Sequence, residues 1–389
     1  MKLKVLDLSR LFPGPYASQV LADLGATVLK VEDPKGGDYL RWMPPLVGGT
    51  SALFAALNRG KRSLALDLKR EEGREIFLSL IGAGWDVILE SFRPGVLDRL
   101  GLGYEALAEV APQVVLCSIT GFGSEGPDAG RAGHDLGYLA RSGVLHLFGR
   151  AGQPPVVPGV QVADLAGGAW PAVAGLLAAV LERTQTGRGR HVEVSMTRGA
   201  FGLMVPLLAG ALNGGEALAP GAGVLGGGVP AYGVYACADG RTMALAAIEP
   251  HFWEAFCVAV GRPDLSGQGL ASGEEGRRVR ATLEAIFASR TQAEWEAIFR
   301  EHDCCCEPVR EGLEALDDTA LALRGRLVEA RSPEGEPCPV PLPELSDPAW
   351  APLDVPALGE GTREVLEALG VSGERIESLA ADGVVRTLG

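Results

Sequence analysis

The chain is poor in the groups that most often do chemistry. Its 389 residues hold only five histidines, so an imidazole placed beside acids narrows the search at once. Seven cysteines, with Cys304, Cys305 and Cys306 adjacent, fit neither a disulfide ladder nor the paired spacing of zinc ligands. A cysteine-built metal centre is therefore not expected, and the protein is expected to be reduced and cytoplasmic. Basic residues are outnumbered, 35 Lys+Arg against 49 Asp+Glu for a net charge of -14, which repels nucleic acid and anionic membrane. Neither is an expected partner. No stretch approaches ~18 uninterrupted apolar residues, and the strand-like opening Met1 to Asp7 is unlike a signal peptide. The Ala-rich run from Ala169 to Leu181 ends on Glu182-Arg183 and is expected as a buried helix.

What is present is the alternation of an α/β protein. A chain of this length exceeds the ~250 residues at which single cores stop growing, so two domains are expected. Apolar runs at Lys4 to Leu8, Thr27 to Glu32, Ser63 to Leu68, Asp86 to Ser91 and Val114 to Thr120 read as strands of a parallel, doubly wound sheet. Helices are predicted between them, as at Pro15 to Leu24 and Glu71 to Ile81, each opening near a Pro or an acid. In open sheets of this kind ligands sit beyond the carboxyl ends of the strands, which singles out Ser91-Phe92-Arg93 and Thr120-Gly121-Phe122. The match of Gly121 to Gly126 to a dinucleotide fingerprint is set aside, because Pro127, Asp128 and Gly130 supply turn chemistry where a helix should open.

The expected division is a large domain over 1–208, to which 333–389 returns, a linker over 209–230, and a small α+β domain over 231–332. Asp239-Gly240 between two apolar runs is a hairpin signal, and Ile248-Glu249-Pro250 places Glu249 where a strand passes into a helix. The Pro-rich text from Pro333 to Pro356 is expected to be extended over the surface.

Acid/base groups are densest in Gly133-His134-Asp135-Leu136-Gly137-Tyr138 and in Asp164, which opens the long apolar helix. Each has a plainer reading. Asp135 and Asp164 suit helix N-termini, Glu249 suits the start of its own helix, and a histidine among glycines is often a surface group. As chemistry, an imidazole with an ordinary pKa of ~6.5 can both take and return a proton near neutrality. A carboxylate with an aqueous pKa of ~3.9 is a weak base unless burial raises it, and a helix N-terminus opposes that shift.

The spread of motifs resembles the family III CoA-transferases (the CaiB/BaiF type) and, within them, the α-methylacyl-CoA racemases. It is carried by Val5-Leu6-Asp7-Leu8-Ser9 with Pro13-Gly14-Pro15, Asp23-Leu24-Gly25-Ala26, Asn58-Arg59-Gly60-Lys61-Arg62-Ser63, Arg93-Pro94-Gly95-Val96, Ala132-Gly133-His134-Asp135 and Ile248-Glu249-Pro250. The resemblance implies a Rossmann-like large domain that is discontinuous in sequence, a smaller domain, and an interlocked homodimer. It implies an acyl-CoA substrate and no further cofactor, since CoA arrives as part of the substrate. His134, Asp164 and Glu249 match the racemase acid/base set, with Asp135 beside His134 as a second candidate to tune the imidazole.

By the same resemblance Leu66, Asp67, Leu68, Lys69, Ser91, Phe92, Arg93 and Arg99 surround the nucleotide of CoA. Gly133, Leu136, Gly137 and Tyr138 then lie near the thioester. Arg59, Lys61, Arg62, Lys69, Arg93 and Arg99 are the concentrated cations from which an acidic protein can build a phosphate seat. Many relatives carry Arg where this chain has Asp33, so that contact is expected to move to Lys35 or Arg41. The expected activity is racemisation of 2-methylacyl-CoA thioesters by proton removal and return through an enolate. The alternatives are CoA transfer between carboxylic acids, through an Asp164 acyl anhydride and aspartyl-CoA thioester, and non-catalytic binding of acyl-CoA.

Overall fold

The computed structural model describes residues 3–215, 218–349 and 351–388. Two compact units partition the chain, one of residues 1–142, 159–203 and 322–389, the other of 143–158 and 204–321.

The first unit is built on a seven-stranded sheet. Its strands are β1 (Lys4–Asp7), β2 (Thr27–Glu32), β3 (Arg62–Leu66), β4 (Val87–Glu90), β5 (Val115–Thr120) and β6 (His191–Ser195), closed by the short Val385–Arg386. The order is Val385–Arg386, β3, β2, β1, β4, β5, β6, with the first pair antiparallel and all others parallel. The chain runs outward from β1 to β3 and then crosses back to β4. The carboxyl ends of β1 and β4 therefore flank a topological switch point, where such sheets bind ligands. Burial on both faces explains the near-continuous apolar strands: every residue of β4 and β5 is buried.

Leu6, Leu29, Leu64, Ile88 and Leu116 form one core with the helices Glu71–Gly82, Tyr104–Val110, Thr362–Ala368 and Gly373–Ala381. A fully buried leucine or isoleucine contributes about 2 kcal/mol, so this layer supplies much of the unit's stability. The helix Pro13–Asp23 and the long helix from Val162 to Thr186 also pack on the sheet. By length and composition the latter could cross a membrane. Here Ala172, Val173, Leu176 and Ala179 are buried as it packs on β5 and β6.

That helix is interrupted near its start. Val162–Asp164 passes into a π turn, Leu165–Ala169, before regular winding resumes at Trp170. The interruption lies against the helix Met196–Gly202, where a Cβ on Gly199 would come within 1.8 Å of the Gly167 carbonyl oxygen. Glycine is required because the two backbones touch.

At the carboxyl end of β1, charge is buried. Asp7 is fully enclosed, 3.1 Å from Lys61 and 3.9 Å from Lys30, and accepts from the hydroxyls of Ser9 and Ser18. Burial alone would raise its pKa, but Lys30, Lys61 and the two hydroxyls outweigh that and hold it well below the usual carboxylate range. For Lys61 burial wins, with Lys30 adding to it, and the ammonium is pulled down to about 8.

The segment from Pro333 to Pro356 departs from the expected surface strap. Leu327–Arg331 and Pro337–Pro341 pair as an antiparallel hairpin whose Cys338 and Val340 are buried with Phe54 and Ala55 of the helix Ala52–Asn58. Prolines are tolerated because Pro337, Pro339 and Pro341 alternate outward on a strand whose missing N–H groups face away from its partner.

In the second unit β7 (Tyr232–Ala236) and β8 (Thr242–Ala246) form the expected hairpin around Asp239-Gly240, and β9 (Cys306–Pro308) adds a third antiparallel strand. Helices Pro250–Ala259, Gly273–Phe287 and Gln292–Arg300 cover it through Phe256, Phe287 and Trp295.

Two substitutions test this framework. Gly199→Ala is expected to lower stability by about 1–3 kcal/mol through backbone overlap, read as a shifted urea midpoint. Lys61→Met strands the Asp7 carboxylate with one distant cation and is expected to cost about 3–5 kcal/mol. Wild-type midpoints would contradict both accounts.

Candidate active site

Beyond β5 the chain turns at Gly121 and Phe122, and later lays the helix Asp135–Ser142 beside them. The Tyr138 ring packs edge-on to Phe122 at 5.2 Å, and its hydroxyl donates to the Gly133 carbonyl at 2.7 Å. A Cβ on Gly121 or Gly133 would lie 2.5 Å from the same ring, so both glycines are needed for this approach. The turn from Gly121 to Gly126 contains no helix, as Pro127, Asp128 and Gly130 just after it predict.

His134 stands at the head of that helix with its side chain exposed, and its carbonyl accepts from Gly137 and Tyr138 at 2.8 and 3.2 Å. Leu136 and Gly137 are exposed on the first turn. Asp135 is half-buried, and its Oδ1 accepts the backbone N–H of Asp164 at 2.9 Å. This bond joins the two acid-bearing segments. It also redirects the plainer reading of both residues: Asp135 serves the Asp164 helix rather than its own, and Asp164 is not an N-cap but the third helical residue, following Gln161 at the cap.

The Asp164 side chain is 9 % exposed. Burial, with the Asp135 carboxylate adding to it, pushes its pKa up to about 7, so the opposing helix N-terminus is outweighed. Tyr138 is pushed up to about 12 by burial and by the same two carboxylates. Asp164 is thus a carboxyl group that can exchange a proton near neutrality. The π turn that follows it is the kind of helix defect often found at functional positions.

The cations expected to bind phosphate divide sharply. Arg59 is fully buried and fork-paired with Asp23 at 2.6 and 2.7 Å, Lys61 is spent on Asp7, and Arg62 pairs with Glu364. Arg41, expected to replace the missing arginine at Asp33, is buried against Glu32 at 2.7 and 2.8 Å. None of these four has its charge free for a ligand. Lys69, Arg93 and Arg99 are exposed and form no ion pair among the described residues, and Lys35 is exposed as well. Lys69 follows β3 in the turn Asp67 to Arg70, where Asp67 caps its N–H at 2.9 Å. Leu66 is a buried core residue, and Leu68 packs against the same core.

Ser91, Phe92 and Arg93 leave β4, and the carboxylate of Glu90 accepts from the Phe92 N–H at 2.6 Å. Sequence reasoning passed over Glu90. It is 6 % exposed, and burial pushes its pKa up to about 7 against the pull of Ser118 and the Phe92 N–H. Ser118 in turn lies 2.9 Å from His191 Nε2, and all three line a cavity of about 380 Å3. The available signal was an acid closing the apolar strand Val-Ile-Leu-Glu.

In the second unit Glu249 occupies the N-cap position of the helix Pro250–Ala259, yet its side chain makes no capping hydrogen bond. Its carboxylate adds, after burial and Asp303, to the raised pKa of the Cys305 thiol. Cys305 itself has a φ of 50°, uncommon for a residue with a side chain.

The family model described as CoA-transferase family III matches residues 2–362. The human α-methylacyl-CoA racemase is 35% identical over 386 residues, covering 99% of this chain and 97% of the relative. The mouse succinyl-CoA:glutarate CoA-transferase is 31% identical, covering 98% and 89%. Among solved structures, a CaiB/BaiF family protein from Brucella suis superposes with a TM-score of 0.79 at 29% identity, covering 94% of this chain and 98% of that one. The chain belongs to CoA-transferase family III.

Proposed function

We propose that the protein racemises 2-methylacyl-CoA thioesters, with Asp164 and His134 serving opposite faces of the α-carbon. The observation that carries this reading is the buried Asp164 carboxyl, poised at about 7 rather than fully ionised. A carboxyl group near neutrality can both take and return a proton at working pH, which racemisation requires of it in its two directions. In one direction ionised Asp164 takes the α-proton, the electron pair moves onto the thioester oxygen, and His134 returns a proton to the other face. The reverse exchanges the roles.

Asp135 holds the first turn of the Asp164 helix. The N–H of Asp164 is already committed to Asp135 and that of Gly137 to the His134 carbonyl, so the N–H groups of Asp135 and Leu136 are the better candidates to donate to the enolate oxygen. Gly133 and Tyr138 shape the thioester end, and Lys69, Arg93 and Arg99 are assigned to the phosphates of CoA. The scheme calls on no metal or redox cofactor, because the thioester supplies the acidity. The seven free thiols suit a reducing, cytoplasmic setting.

We also propose a homodimer, interlocked as the family resemblance implies. The helix Val205–Leu212 is apolar throughout and has no buried residue, with Val205 59% and Leu212 81% exposed, so a second copy is the expected cover. Light scattering should read twice the mass of the chain, and a monomer at micromolar concentration would remove the dimer.

The activity is tested by incubating one epimer of a 2-methylacyl-CoA with the protein in D2O. Exchange of the α-proton with loss of configuration is expected, falling at least about a hundredfold in His134→Ala and in Asp164→Ala. Transfer of CoA to an added carboxylate without exchange, with an enzyme thioester trapped by hydroxylamine, would replace this reading with the transferase one.

The pKa of Asp164 has a second consequence. It is raised above its unfolded value, so the folded state holds more protons between about pH 4 and 7 and loses stability as pH rises through that window. Asp164→Asn should therefore be more heat-stable than wild type at pH 8 and gain nothing at pH 4. An equal effect at both would mean that Asp164 is not held protonated.

A further inference from the structure

Arg10 leaves β1 at the switch point, opposite the turn that leaves β4. Its backbone N–H donates to Ser91 Oγ at 3.1 Å, which ties the two strand exits together. The guanidinium carbon lies 5.7 Å from the ring centroid of Tyr39 and 5.8 Å from that of Phe92, so the cation has an aromatic ring on each of two sides. The next residue is fixed as well. Leu11 has a φ of 64°, in the left-handed region that a leucine rarely enters, and its N–H donates to Asp38 Oδ1 at 3.2 Å. Asp38 is buried and held 3.0 Å from Lys30. The loop that carries Arg10 is thus clamped on both sides.

What this clamped cation lacks is a counter-charge. Among the described residues no carboxylate lies within ion-pairing distance of Arg10, although the chain carries 49 acids against 35 Lys and Arg. A guanidinium that meets aromatic rings still offers its in-plane N–H edge, which matches two oxygens of a carboxylate or phosphate. Restricting the side chain beforehand lowers the entropy lost when such a group is bound. Tyr39, 62% exposed, lays an apolar ring beside the guanidinium on its solvent side.

We propose that Arg10 is a substrate-binding residue that grips an oxyanion of the CoA thioester, either a phosphate of CoA or a carboxylate at the far end of the acyl group. This rests on the reading of the protein as an acyl-CoA enzyme and adds a residue that the family motifs did not single out.

Calorimetric titration of the full chain with CoA, butanoyl-CoA and succinyl-CoA tests it, comparing wild type with Arg10→Gln and Arg10→Lys. Arg10→Gln is expected to weaken binding about tenfold or more. An equal loss for all three ligands assigns the grip to a phosphate, and a loss confined to succinyl-CoA assigns it to the acyl carboxylate. In either case the deficit should shrink as KCl is raised, because a screened charge is worth less. A deficit indifferent to salt, or wild-type affinity for all three ligands in Arg10→Gln, overturns the proposal. Should Arg10→Gln fail to fold, Arg10→Lys decides: it keeps the charge without the fork, and wild-type affinity for every ligand would overturn the bidentate grip. Wild-type protein that binds none of the three removes the acyl-CoA reading, and Arg10's role with it; wild-type binding that Arg10→Gln leaves intact removes Arg10's role alone.

Discussion

The enclosed carboxylate of Asp7 is the constraint on which the first unit's strand exits depend. It cannot be left without cations at that depth, so Lys61, just ahead of β3, and Lys30 of β2 are drawn to it, and Lys30 in turn fixes Asp38 at 3.0 Å. Those bonds decide where β1 ends and how its exit loop turns, since Asp38 also holds the Leu11 N–H. Two further buried pairs extend the effect to the far end of the chain. Arg59 reaches from Asp23 to the Pro352 carbonyl, and Arg41 from Glu32 to the Pro356 carbonyl at 2.8 Å. The return of the C-terminal segment is thereby secured by charge as well as by apolar packing.

The other buried carboxyl groups obey the same physics with the opposite result. Asp7 has two lysines and two hydroxyls and is held ionised. Asp164 has no cation partner among the described residues, is nearly enclosed, and faces a second carboxylate in Asp135, so the proton is retained up to about neutrality. One residue type therefore serves as a permanent structural anion in one place and as a proton-exchanging group in the other. The difference lies in what the neighbouring segments supply, not in depth of burial.

This also separates what could be read from the sequence from what could not. Strands at Thr27–Glu32 and Val115–Thr120, the hairpin around Asp239-Gly240 and the long apolar helix after Asp164 followed from periodicity and turn chemistry, because those are local properties. The hairpin Leu327–Arg331 with Pro337–Pro341 did not, because its prolines read as a strap and only the register shows that they point away from the partner strand. His134, Asp135 and Asp164 could be singled out from the sequence as candidate acid/base groups. The bond from the Asp164 N–H to Asp135 could not, since it spans 29 positions and no local rule encodes it. Arg59 and Lys61 were misjudged for a related reason: a basic stretch looks alike whether its charges meet phosphate or buried aspartates.

That last distinction bears on how an acidic protein can hold a polyphosphate. With net charge -14 the long-range field opposes an anionic ligand, so attraction must come from cations that the fold leaves without partners. The chain spends Arg41, Arg59 and Lys61 on internal carboxylates and Arg62 on Glu364. Lys69, Arg93 and Arg99, all near the carboxyl ends of β3 and β4, are left unpaired among the described residues, as is Arg10. An unpaired cation is uncommon where acids are in excess, and several at one edge of a sheet form a local positive field within about one Debye length. Placement of the acids elsewhere, rather than any surplus of base, is what leaves that edge able to attract an anionic ligand.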